Sequence, residues 1–150
     1  MYENVLIPTD GSDHARQAAE RGFDLAATYD AAVRLVHIIE DPDSGVTVHK
    51  YDEGVRDDME RTGEGYVDDL VSAAEGQDVA ATGEVRYGAA HEEIIAAADD
   101  HAADLIVMAT HGHTGLEGLV LGSTAERVVR LASVSVLVAR PDGEYSSSDE

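Results

Sequence analysis

Five short apolar runs rich in β-branched residues alternate along this chain with four segments in which small and apolar residues recur at helical spacing. The runs are Val5-Leu6-Ile7, Val33 to Ile39, Val79 to Val85, Leu105-Ile106-Val107-Met108 and Val134 to Val138. Each reads as a strand. Strands separated by helices must be joined by crossovers, which are right-handed and give parallel pairing. The first, fourth and fifth runs are nearly continuous in apolar character, as strands covered on both faces require. The third is the weakest, because of Gly83 and its polar neighbours. Between them, Ala15, Ala18, Ala19, Gly22, Phe23 and Ala26 share one face of a first helix that Ser12 could cap. Val55, Met59, Tyr66, Val67, Leu70, Val71 and Ala74 line a longer second helix, weakened by Gly63 and Gly65. Ala90, Ile94, Ile95 and Ala98 mark a third, and Ala125, Val128, Val129 and Ala132 a fourth. The predicted fold is a doubly wound α/β domain, a five-stranded parallel sheet with helices on both faces.

A chain of 150 residues with 43% hydrophobic content fits one such domain. We place it over residues 1–141 and expect 142–150, polar and acidic after Pro141, to be a disordered tail. Asp41 to Thr47 reads as a turn-rich acidic loop. With no cysteine, disulfides, thiolate nucleophiles and sulfur-ligated zinc are excluded. Met1-Tyr2-Glu3-Asn4 has neither the basic start nor the apolar stretch of a signal peptide, and no run reaches membrane-spanning length, so a soluble cytoplasmic protein is expected. Against 31 Asp and Glu stand 10 Lys and Arg, a formal charge of -21, which argues against nucleic-acid backbones and anionic membranes as partners. Lys50 is the only lysine, and the acidic residues are scattered rather than gathered in one tail. We take this as adaptation to high salt, because molar salt shortens the Debye length to about 3 Å and removes most self-repulsion.

Open α/β sheets bind ligands beyond the carboxyl ends of their strands, where the winding reverses, so the loops after the first and fourth strands matter most. The first is Pro8-Thr9-Asp10-Gly11-Ser12-Asp13; the second runs from Ala109 through Gly112, Gly115 and Gly118 to Gly122-Ser123-Thr124. Its four glycines permit close backbone approach, and Gly122-Ser123-Thr124 opens a helix whose free N–H groups can receive phosphate oxygens. Spacing alone leaves open the plainer alternative, glycines that only turn the chain and a Ser123 that only caps. Neither the P-loop string nor the dinucleotide fingerprint is present.

Other candidates weigh less. His111 and His113 could bind zinc, but no third ligand is placed, and histidines near phosphate are the better reading. Asp10, Ser12, Asp13 and His14 contain the residue types of a hydrolytic triad, yet at a helix start they suit capping. His37, inside an apolar strand, reads as a hydrogen-bonded core residue. Arg127, Asp57-Asp58 and Asp99-Asp100 read as solvated helix-face charge.

At these loops the chain resembles the universal stress protein family, whose ATP-binding members carry Gly, two residues, Gly, nine residues, then Gly-Ser or Gly-Thr. Gly112, the nine residues His113 to Leu121, and Gly122-Ser123 match; Ala109 replaces the first glycine. The similarity extends to Pro8-Thr9-Asp10-Gly11-Ser12, Leu35-Val36-His37-Ile38, Gly88, Asp104 to Met108 and Val136-Leu137-Val138. It implies an adenine-nucleotide alpha-hydrolase-like fold with Pro8, Thr9 and Asp10 beside adenosine, Ile38 and Met108 at adenine, and Ala109 at the ribose. Gly112, Gly122, Ser123 and Thr124 would hold the phosphates. The methyl of Ala109 stands where positive φ or tight ribose contact would call for glycine, and we expect binding with altered affinity. Because a helix N-terminus offers an anion only about 0.3–1 kcal/mol when exposed and up to about 2 when partly buried, ATP should bind here with Mg²⁺ or Mn²⁺. The resemblance, and an apolar last strand at a sheet edge, imply a homodimer. A nucleotide-binding stress-response or signalling protein with slow or absent hydrolysis leads. A nucleotide-free dimeric interaction module of the same fold comes second, and an adenylating-type enzyme last.

Overall fold

The alternation is realised element by element. A computed structural model describes residues 1–40, 53–111 and 121–141. These residues form β1 (Asn4–Pro8), α1 (Asp13–Tyr29), β2 (Ala32–Ile39), α2 (Glu53–Gly76), β3 (Ala81–Tyr87), α3 (Ala90–Asp100), β4 (Leu105–Ala109), α4 (Ser123–Leu131) and β5 (Ser135–Ala139). The loop at Asp41 to Thr47, Gly112, His113 and the tail expected over 142–150 lie outside the described residues.

All strand pairs are parallel, in the order β3-β2-β1-β4-β5. The chain winds outward from β1 to β3, then returns to the other side of β1 for β4 and β5. The reversal therefore lies between β1 and β4. Strand residues alternate between two buried layers, as the period of two demands. Val5, Ile7, Val33, Leu35, Leu105 and Val107 pack with α1 and α2. Leu6, Val36, Ile106 and Met108 pack with α3 and α4. Coverage on both faces is why β1 and β4 read as continuous apolar runs.

The expected face of α1 is buried as predicted, and Ser12 Oγ accepts from Ala15 N at 3.1 Å. α2 runs unbroken through Gly63 and Gly65 and buries Gly63, Val67, Leu70 and Ala74. Val55, expected on the same face, is 41% exposed. The reason is length. At 24 residues α2 is roughly 36 Å long, whereas the eight-residue β2 extends about 26 Å, so the first turns overhang the sheet. α4 buries Ala125 and Val128, while Val129, also expected inside, is 48% exposed. No helix among the described residues is long and apolar enough to cross a membrane.

Candidate functional site

The two strands that flank the reversal deliver the site. After β1, Thr9 N still donates to Val36 O at 2.8 Å, and the chain then folds on its own side chains. Thr9 Oγ1 accepts from Gly11 N at 3.1 Å and Asp10 Oδ1 from Ser12 N at 3.0 Å, turns typical of these residue types. Gly11 sits at φ 83 with the Tyr66 ring of α2 against it, so both its backbone and its lack of a side chain are required. Ser12 caps α1, and Asp13 pairs with Arg16 at 2.9 Å. The Asp10, Ser12, Asp13 and His14 set is therefore a helix start. His37 Nδ1 donates to Thr9 O at 2.8 Å and packs edge-on to Tyr66, centroids 5.3 Å apart, so it is hydrogen-bonded as expected but half-buried rather than in the core.

After β4 the geometry is different. Ala109 is a regular strand residue in register with Ala139, without positive φ, so the demand for glycine backbone freedom at this position falls away. Thr110 O accepts from Gly122 N at 2.9 Å, which ties the start of α4 to the end of β4. Gly122 is the N-cap of α4 and, being glycine, has no side chain with which to cap it. Ser123 is its first helical residue, so the alternative in which Ser123 merely caps the helix does not hold. The first-turn N–H groups of α4 have no intrahelical acceptors and point beyond the helix.

Between the two strand ends lies a cleft of about 830 Å³, inside the range of about 300–1,000 Å³ usual for small-molecule sites. Pro8, Thr9, Asp10, Ile38, Met108, Ala109, Gly122, Ser123 and Thr124 all line it. Of the residues predicted from the motif, Gly112 alone lies outside the described part. The lining also includes Ala15, Glu40, Ala90, Ile94, Thr110, His111, Leu121, Ala125 and Glu126. Ile94 and Ala125 were visible in the sequence as helix-face apolar residues, but nothing local showed that this face opens onto the cleft. Ala90, at the start of α3, was likewise read as a helix-face residue. Glu40 had none.

The electrostatics are one-sided. Asp10, Glu40 and Glu126 line the cleft, and no Lys or Arg does among the described residues. Arg127 is exposed, as expected. His111 is buried, with Nδ1 3.0 Å from Thr110 Oγ1, and among the described residues its Nε2 and the buried Nδ1 of His14 have no partner. A buried polar atom without a partner costs about 1–3 kcal/mol. No group of three His, Asp or Glu able to hold a metal occurs among the described residues.

Comparison with known proteins follows the same outline. Residues 1–140 match the universal stress protein family. A universal stress protein of Methanocaldococcus jannaschii is 35% identical over 93% of this chain and 83% of its own length. The solved structure of another such protein from that organism superposes with a TM-score of 0.83 at 26% identity, covering 94% of this chain and 97% of that one. A universal stress protein solved in complex with cAMP superposes with a TM-score of 0.71 at 23% identity, covering 92% of this chain and 97% of that one.

Proposed function

The chain belongs to the universal stress protein family, and from that premise we propose that it binds an adenine nucleotide, ATP in the first instance, in the cleft between β1 and β4. The observation that carries this is the meeting, in one cleft, of an apolar wall at Ile38 and Met108 with the start of α4 at Gly122-Ser123-Thr124, whose N-cap is a glycine. A flat base suits the first and phosphate oxygens the second. The cAMP complex shares this fold, so the architecture can accommodate an adenine nucleotide; for this chain the case rests on its own cleft. Strand geometry at Ala109 weakens the alternative of a nucleotide-free module, because the methyl shapes the ribose end without forcing the backbone.

Three carboxylates face the same space as the phosphates, and the dipole of α4 is too weak to offset them. A divalent cation, Mg²⁺ or Mn²⁺, held chiefly by phosphate oxygens and water, supplies the missing positive charge. The protein then acts as a soluble cytoplasmic homodimer whose conformation or partner choice follows nucleotide occupancy, with slow or absent hydrolysis. β5 is an edge strand, and Val129 and Leu131 on the neighbouring α4 are 48% and 55% exposed, an apolar border that a second copy would cover.

Mass spectrometry of the denatured, freshly purified protein should release an adenine nucleotide. Titration calorimetry should show ATP affinity falling by about tenfold or more when Mg²⁺ is replaced by chelator. Absence of binding to ATP, ADP, AMP and cAMP with metal present would overturn the assignment.

A further inference from the structure

His111, read from the sequence as a histidine near phosphate, is a group whose chemistry the nucleotide assignment does not yet use. It is 6% exposed and lines the cleft, its Nδ1 lies 3.0 Å from the Thr110 hydroxyl, and its Nε2 is buried with no partner. Cδ2, the ring carbon bonded to Nε2, lies 3.5 Å from where a Cβ on Gly122 would stand. The imidazole edge that bears Nε2 therefore borders the N-cap of α4. Buried polar side-chain atoms are ordinarily paired. An unpaired ring nitrogen beside a helix start capped by glycine is short of one hydrogen-bond partner, and among the described residues none supplies it.

The charges around it narrow what that acceptor is. Asp10 after β1, Glu40 after β2 and Glu126 in the first turn of α4 line the cleft, and all are carboxylates. α1 contributes Ala15, and α3 contributes Ala90 and Ile94. His14, in the first turn of α1, holds the other buried unpaired nitrogen but does not line the cleft. Among the described lining residues, His111 is thus the one side chain whose protonated form carries a positive charge.

We propose that protonated His111 donates through Nε2 to a phosphate oxygen of the nucleotide at the start of α4, so that binding takes up a proton and pH sets the affinity. This rests on the nucleotide assignment above. In the imidazolium both nitrogens are donors. Nδ1–H then gives to Thr110 Oγ1, which fixes the ring, and Nε2–H gives to phosphate. Only the ligated state satisfies both. The sign follows from linkage: the protonated form binds the anion better, so affinity falls as pH rises and the ring in the complex loses its proton. Phosphorylated nucleosides should feel this; adenosine should not. His111 acts as a positioning residue for the phosphates.

The test is calorimetry of Mg²⁺-ATP binding at pH 6 and pH 8, in buffers of different ionisation enthalpy, with wild-type protein and His111→Gln. Comparing the two proteins cancels the titration of the nucleotide itself. Wild-type affinity should fall by about tenfold more than that of the variant between the two pH values, the equivalent of a one-unit shift. Proton uptake in excess of the variant's should accompany it, and adenosine should show neither effect. Equal pH dependence in the two proteins overturns the role of His111 while leaving nucleotide binding intact. No binding by wild type at either pH overturns the nucleotide assignment itself. Should His111→Gln fail to fold, ring ¹⁵N shifts of wild-type His111 decide: its titration midpoint must move up on saturation with ATP, and an unmoved midpoint refutes the proposal.

Discussion

At Gly122 the helix and the strand that feeds it approach so closely that a side chain does not fit: a Cβ there would stand 2.9 Å from Thr110 O. The obstacle is backbone and cannot rotate away. Gly122→Ala should therefore cost about 1–3 kcal/mol of stability, read by urea denaturation, and weaken nucleotide binding by more than about tenfold, because it pries the phosphate end of α4 from β4. At Ala109 the change runs the other way. Ala109→Gly removes a methyl from the cleft wall and should raise ATP affinity severalfold while costing about 0.5–1 kcal/mol of strand stability, two readouts that move in opposite directions. Much of the site was legible at this scale, since Pro8, Thr9, Asp10, Ala109 and Gly122 to Thr124 announce themselves as two loop motifs. Glu40, Ala90 and Ile94 did not, because a residue that faces a cleft from a different crossover carries no local mark of it.

Among the elements, β3 shows how packing overrides a weak sequence signal. Gly83 made this the least convincing strand, yet β3 pairs with β2 over seven residues. α2 lies so close above it that a Cβ on Gly83 would run into Val67. The glycine is thus a packing requirement. Gly83→Ala should lower the urea midpoint, at a cost of about 1–3 kcal/mol, without altering nucleotide affinity, since β3 does not line the cleft. The partly buried end of the same strand is held by charge. Arg86 meets Glu93 at 2.9 Å, Glu84 at 3.2 Å and Asp100 at 3.2 Å, and His101 joins Glu84 to Arg34. Burial pushes the Arg86 guanidinium down, but its three carboxylate partners outweigh burial and hold it above the ordinary arginine value. Asp100, read from sequence as solvated charge, is part of this network, which no spacing rule reveals because its members come from β2, β3, α3 and the α3 cap.

For the whole molecule the dominant quantity is the charge of -21. Salt bridges such as Arg16 with Asp13 and Arg61 with Asp58 are exposed pairs of small worth, and they leave most of the carboxylates facing one another through solvent. Lowering salt from molar to millimolar should therefore lower the melting temperature; an unchanged melting temperature would reject salt adaptation. Light scattering in molar salt should return a dimer, twice the 15.9 kDa of the chain, and a stable monomer would refute pairing through β5.

The amino-acid order by itself determined the alternation of strands and helices, the parallel sheet, the winding reversal and the two loops that meet there, because periodicity and crossover handedness are local rules with few global solutions. Only the tertiary structure decided that Ala109 keeps plain strand geometry, that Gly122 rather than Ser123 is the N-cap of α4, and that among the described residues His111 ends with a buried nitrogen lacking a partner. Those outcomes depend on distances between segments far apart in the chain, and such distances are settled by packing, which no single stretch of sequence encodes.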